Sequence, residues 1–262
     1  MVIGVSYTGK RVSLCLPSIM AAGTAVGPIR RAGGSDVKGI RIRPGRLLLT
    51  ASGRVWAGAL LAGCAILIVL FGMLFAHQAN ANGLDRAIDS PIISWLSGDP
   101  DLASHFAAPG SLRPAVTLTA VIVVACLFAR RLNGAVLAAA AIPAAAALTD
   151  GLCKPLVHRT YHGALTYPSG HTATMFALAA TITLLLIPPP PAKATALQVL
   201  IPAAACALGG VVAVGVIGLR FHYFTDTVAG AALGIGTVCG LALLLDLPTV
   251  RRWLAWGGHP SR

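Results

Sequence analysis

Six apolar stretches dominate this chain and leave few architectures open to it. Residues 55–76, 115–129, 132–149, 172–187, 197–219 and 227–245 contain no Asp, Glu, Lys or Arg. Crossing ~30 Å of hydrocarbon takes about 20 helical residues. A helix satisfies its own backbone polar groups there. The pattern predicts an all-α polytopic membrane protein, a six-transmembrane-helix bundle seated in a lipid bilayer. The second and fourth stretches are short and need interfacial residues to complete a span. Only 11% of the 262 residues are charged and 56% are hydrophobic. A soluble domain carries roughly 25% charged residues, so an ordinary water-soluble globule is excluded. A disordered chain, which needs low hydrophobicity, is excluded too. The net charge of +12 brings nucleic acid to mind. Its basic residues, however, lie between apolar stretches instead of forming a face on a soluble fold, so no nucleic-acid partner is expected.

The charge is a topology signal instead. Residues 1–54 form a basic segment with nine Lys or Arg against one acid, Asp36. It reads as a mostly disordered cytoplasmic tail. Residues 55–247 are the membrane domain, and 248–262 a short basic cytoplasmic tail. With both tails inside, fifteen basic residues fall on the cytoplasmic side and five outside: Arg86, Arg113, Lys154, Arg159 and Arg220. The positive-inside rule supports that orientation. All eight acids are Asp and Arg outnumbers Lys sixteen to four. Such codon bias fits a GC-rich genome and points to a bacterial inner membrane.

Between spans one and two, Leu84, Asp85, Ile88, Asp89, Ile92 and Trp95 recur at helical spacing. A short amphipathic helix at the interface is expected, with Trp95 at headgroup depth. The proline run 188–191 stops the fourth helix. Gly230-x3-Gly234 and Gly236-x3-Gly240 in the last span allow close packing inside the bundle. The six cysteines show no metal spacing; Cys64, Cys126, Cys206 and Cys239 read as small buried hydrophobes, and Cys153 adjoins a candidate site.

That site gathers from three polar groups: Asp150 to His162, Tyr167 to Thr172, and Arg220 to Asp226. The first two share one loop. The third follows after two further crossings, which return the chain to the same face. His222 and Asp226 are four apart, so on a helix they share a face. A carboxylate bonded to one imidazole nitrogen would fix the tautomer and leave the other nitrogen as a nucleophile. Pro168-Ser169-Gly170 precedes His171 at the start of a helix, whose free N–H groups bind anions. Lys154, Arg159 and Arg220 supply fixed positive charge. Singly, each has a plain reading: an interfacial His, a snorkelling cation, an Asp226 cap. Together they describe a phosphate site in which one histidine attacks phosphorus and a second protonates the leaving oxygen. No carboxylate cluster suggests a metal, so none is expected, and no cofactor.

These residues resemble the type 2 phosphatidic acid phosphatase and vanadium haloperoxidase superfamily over about residues 84–245. Its pattern is Lys-x6-Arg-Pro, Pro-Ser-Gly-His, then Ser-Arg-x5-His-x3-Asp. The middle motif matches in full at Pro168, Ser169, Gly170 and His171, and the end of the last at His222 and Asp226. The resemblance implies that His222 is the phosphorylated nucleophile, Asp226 its partner and His171 the acid for the leaving group. It implies that Lys154, Ser169 and Gly170 hold phosphate without a metal. Two positions depart from it. Tyr161 and His162 stand where the family has Arg-Pro, and Gly215 and Val216 where it has Ser-Arg. Arg159 and Arg220 are the candidates to substitute, with Arg220 about one helical turn beyond the family position. The expected activity is hydrolysis of a phosphorylated membrane lipid at the outer leaflet: phosphatidate, phosphatidylglycerol phosphate, or a polyprenyl phosphate or diphosphate. Transfer to an acceptor lipid, and non-catalytic binding or transport of a phosphorylated lipid, remain the alternatives.

Overall fold

The computed structural model describes residues 47–186 and 195–251. The turn expected at 188–191, the C-terminal tail beyond 251 and the tail through residue 46 lie outside the described residues. The fold is all-α apart from a two-strand hairpin. Its helices are α1 (Ala51–Phe75), α2 (Gly83–Leu96), α3 (Pro100–Ala107), α4 (Leu112–Phe128), α5 (Leu132–Leu148), α6 (Lys154–Val157), α7 (Gly170–Leu186), α8 (Ala196–Gly218) and α9 (Phe224–Leu245). The hairpin pairs β1 (Thr160–Tyr161) with β2 (Ala164–Leu165).

Five helical stretches are long and apolar enough to cross a membrane: Ala51–Phe75, Pro100–Phe128, Leu132–Val157, Ala196–Gly218 and Phe224–Leu245. Large apolar side chains line their outer faces, including Trp56, Ile66 and Met73 on α1 and Val116, Val121 and Phe128 on α4. A surface of that kind is stable in lipid and aggregates in water. The molecule is a polytopic membrane helical bundle. Six crossings were expected, and α7 is apolar but 17 residues long. Cys206 corrects another expectation. It is exposed on the outer face of α8, where apolar surroundings come from lipid and burial in protein is not required.

The core is built on small residues. A Cβ at Gly230 would come within 3.0 Å of Thr172 Oγ1 and the Ser169 carbonyl, and one at Gly234 within 3.0 Å of the Ala177 nitrogen. Only glycine lets α9 lie this close to α7. The order of these contacts, 230 with 169–172 and 234 with 173–177, makes the two helices parallel. On another side of α9, Gly236 and Gly240 receive Leu61 and Cys64 of α1. Here 236 meets 64 and 240 meets 61, so α1 runs antiparallel to α9. Helix α5 is antiparallel to α7, since Gly134 faces Leu185 and Thr149 faces Gly170. Helix starts and ends thereby sort into two layers. Asp246 holds the Leu48 and Leu49 N–H groups at one end (2.9 and 2.8 Å). The starts of α7 and α9 and the ends of α1, α5 and α8 meet at the other.

Candidate active site

Each polar residue of the second layer is placed by a local chain signal. Helix α8 stops in a left-handed turn: Arg220 has φ 57°, and the Phe221 N–H bonds the Val216 carbonyl while the Arg220 N–H bonds that of Ile217 (2.9 and 2.8 Å). This is the closing pattern of a Schellman motif. His222 follows in the loop before α9, so it does not share a helix with Asp226, as its spacing had suggested. The hairpin turns on His162 and Gly163, with φ 49° and 82°, the two positive values of a type I′ turn.

The His222 ring settles its own tautomer. Nδ1 lies 2.9 Å from the Thr166 carbonyl oxygen. A carbonyl only accepts, so Nδ1 carries the proton and Nε2 presents a bare lone pair. The carboxylate expected in that role stands off: Asp226 Oδ2 is 4.0 Å from Nδ1. Asp226 is occupied elsewhere. Its Oδ1 accepts from Arg159 Nη1 at 2.6 Å and its Oδ2 from the Tyr223 N–H at 3.1 Å. Burial first, then the positive fields of Lys154 and His171, push the His222 imidazole down to about 3. The Thr166 bond and Asp150 oppose that shift without reversing it, so the ring is neutral at physiological pH.

Lys154, His171 and His222 lie within one another's electrostatic reach. Lys154 Nζ is paired with exposed Asp150 at 2.8 Å. The Ser169 N–H donates to the Asp226 carbonyl (2.9 Å), fastening the start of α7 to α9. Ser169 Oγ is buried and has no hydrogen-bond partner among the described residues. The first N–H groups of α7, from Gly170 onward, have no acceptor within the helix. An unpartnered hydroxyl, a helix N-terminus, a lysine and a bare imidazole nitrogen suit an anion with several oxygens.

Arg159 is not on that surface. It is fully buried between the rings of Phe75 and Tyr223, 4.6 and 4.3 Å from their centroids. Its Nη2 donates to Asp85 at 2.5 Å; its Nη1 donates to Asp226 and to Thr225 Oγ1 (2.7 Å). Its fork, expected to meet phosphate, is committed to two carboxylates, because an unpaired charge at such depth would be costly. Arg220 is exposed, and its charge acts on Tyr161. Because α8 ends before it, the one-turn relation to Val216 does not hold.

The sequence reading missed the acidic face of α2. Asp85 and Asp89 are buried. Asp89 accepts the Phe224 N–H (3.1 Å) and Asp85 the Thr225 N–H (3.0 Å), so α2 caps the start of α9 from outside. The helix was expected; its polar side turning inward was not, although two acids four apart on a chain with only eight were the available signal. Leu84 and Trp95 remain exposed on its other side. Among the described residues, no group of three or more His, Cys, Asp or Glu is placed to hold a metal ion.

A bundle of lipid-facing helices with a histidine and an anion-receptive helix start in one polar layer defines a class of membrane protein. Residues 148–248 match the PAP2 superfamily, and the chain carries a PAP2 superfamily domain there. That domain holds Lys154, Arg159, Ser169, Gly170, His171, Arg220, His222 and Asp226; Asp85 and Asp89 lie outside it. Such a domain suggests phosphatase-type activity. Neither a curated protein nor a solved structure matches the chain.

Proposed function

We propose that the protein is a lipid phosphatase working through a phosphohistidine on His222. Nε2 attacks phosphorus and forms the N–P bond while the P–O bond to the lipid breaks. Protonated His171 gives its proton to the departing oxygen. Water then attacks phosphorus and returns a proton to His171, the N–P bond breaks, and phosphate leaves. Lys154, Ser169 and the α7 N-terminus hold the phosphoryl oxygens, supplying the charge that a metal would otherwise bring. The carrying observation is the bond from His222 Nδ1 to the Thr166 carbonyl, which directs the free nitrogen to the reaction.

An apolar groove of about 700 Å³ supports a lipid substrate. It lies between α1, α5 and α9 and is lined by Leu61, Met73, Leu148, Gly236 and Tyr167, the chain neighbour of Thr166. Phosphatidate, phosphatidylglycerol phosphate and polyprenyl phosphates or diphosphates all fit this reading. The parallel course of α7 and α9 supports α7 as the sixth crossing, since parallel helices joined through one antiparallel span start on the same side. The fifteen-to-five division of basic residues then supports a site outside a bacterial inner membrane with both termini inside.

The test is phosphate release from a panel of lipid phosphates by the purified protein in detergent with EDTA, parent against His222→Ala. The parent is expected to release phosphate and to form an acid-labile phosphoenzyme. Retained activity in the variant, or loss of parent activity in EDTA, overturns the mechanism. Adding acceptor lipids distinguishes hydrolysis from transfer.

A further inference from the structure

We propose that Arg159, clamped by Asp85, is a positioning residue for His222 and not a phosphate ligand. The inference rests on the phosphohistidine reading above. It enlarges the working site to α2, outside the 148–248 domain.

The connection runs through short hydrogen bonds on both sides of Arg159. Its guanidinium bridges two helix starts. Nη2 donates to Asp85 of α2, and Nη1 to Asp226 of α9. Thr225 Oγ1 closes the bridge, accepting from Nη1 and donating to Asp85 Oδ1 at 2.8 Å. Each carboxylate sits in the first turn of its helix, where the dipole favours negative charge. The Arg159 backbone carries the other half. Its carbonyl accepts the Thr166 N–H at 3.0 Å. Thr166 in turn offers its own carbonyl to His222 Nδ1. The clamp therefore fixes the strand segment that selects the imidazole tautomer.

The same clamp keeps Asp226 away from the ring. With one oxygen on Arg159 and the other on the Tyr223 N–H, Asp226 cannot close the 4.0 Å gap to Nδ1. Without the fork, the carboxylate would compete with Thr166 for the Nδ1 proton. A carboxylate beside imidazole favours the cation, so Nδ1 would keep its proton while Nε2 became protonated at higher pH than in the parent. Lysine cannot replace the fork, because a single ammonium does not bridge two carboxylates in a plane.

The test compares full-length parent, Arg159→Lys, Asp85→Asn and Lys154→Ala in detergent, with p-nitrophenyl phosphate as substrate and orthovanadate as inhibitor. Arg159→Lys and Asp85→Asn are expected to lower kcat by about 10²-fold, the scale of a displaced reacting group. KM and vanadate inhibition should stay within about twofold of the parent, and the acid limb of kcat should move to higher pH, because the charges holding phosphate are untouched. Lys154→Ala should instead raise KM and weaken vanadate. If Arg159→Lys follows Lys154→Ala, Arg159 binds phosphate and the proposal fails. It fails equally if kcat and the acid limb do not change. Should Arg159→Lys not fold, Asp85→Asn and Thr225→Val decide, since both retain the arginine. Nitrogen-15 NMR of the His222 ring reads its protonation without turnover: a neutral Nδ1–H ring in the parent, and protonation of Nε2 at higher pH in Arg159→Lys. An inactive parent with that NMR change would sink the phosphatase reading and leave the clamp standing. An active parent with an unchanged ring would do the reverse.

Discussion

Two polar regions share one layer of this bundle and are built on opposite plans. On the histidine side, Ser169 Oγ has no partner, His222 keeps a bare nitrogen and the start of α7 has free N–H groups. On the aspartate side, Asp85, Arg159, Thr225 and Asp226 bond one another at 2.5 to 3.0 Å, and the Tyr223, Phe224 and Thr225 N–H groups are all capped by carboxylates. Unsatisfied buried groups are costly, and proteins retain them where a ligand completes them. Connected networks rigidify, although Arg159 Nε within this one is itself buried without a hydrogen-bond partner among the described residues. On the proposed mechanism, the contrast separates the residues that meet substrate from those that hold them still. It also explains how two cations of the same kind, Lys154 and Arg159, come to do different work.

The largest expected effect breaks the comparison at its open side. On the proposed mechanism, His222→Asn removes the attacking nitrogen, while an amide keeps a donor for the Thr166 carbonyl. Turnover should fall by about 10³-fold or more, with no phosphoenzyme in samples quenched in alkaline detergent, where the parent keeps it. Retention of the phosphoenzyme would transfer the nucleophile's role to His171. Ser169→Ala is next. Loss of one neutral donor to a developing charge is expected to cost about 10-fold in kcat/KM, below the 10² to 10³ of a full oxyanion donor. Phosphate-release kinetics check it. An unchanged kcat/KM would mean that Ser169 only ties α7 to α9 through its N–H.

Much of the open side was legible in the chain, because short-range grammar writes it. Pro168, Ser169, Gly170 and His171 are consecutive, and the glycine spacing at 230 and 234 shows which helix can approach α7. The closed side was not. Arg159 to Asp85 is a contact across 74 residues, and nothing local to either residue states that a guanidinium will be buried there. Burial also sharpened the reading of α2: Asp85 and Asp89 share its inward face with Leu96 and half-buried Ile88 and Ile92, and the Phe224 and Thr225 N–H groups receive them there. Asp226 shows a third limit. The four-residue spacing from His222 invited a hydrogen bond, but the helix begins after His222, and the carboxylate is drawn to a stronger partner.

A smaller effect probes the closed side by pH. Burial, with Asp85 and Asp226 adding to it, raises the Asp89 carboxyl to about 7, against the opposing Phe224 N–H and Arg159. In the unfolded chain it titrates near ~4. Between these values the folded protein holds more protons than the unfolded one, so its stability falls as pH rises through that window. Asp89→Asn keeps an acceptor for the Phe224 N–H and has no charge to bury. Its melting temperature in detergent should gain on the parent as pH goes from about 5 to about 8. A difference independent of pH would show that Asp89 is ionised in the fold, and the closed side would then carry one more charge than Arg159 and the helix starts balance.

The smallest effect marks the outer border of the open side. Arg220 is exposed in its left-handed turn, and its recorded influence is on Tyr161 of the hairpin. A cation so placed can draw an anionic headgroup toward the site but is screened by salt over a Debye length of about 10 Å at 0.1 M. Arg220→Ala should raise KM about two- to threefold at low ionic strength, and the difference should vanish at high salt, with kcat unchanged throughout. Steady-state kinetics across a salt series measure this directly. A salt-independent fall in kcat would mean that Arg220 turns inward onto the phosphoryl group. It would then stand in for the arginine missing at Val216, and the open side would contain a second fixed cation beside Lys154.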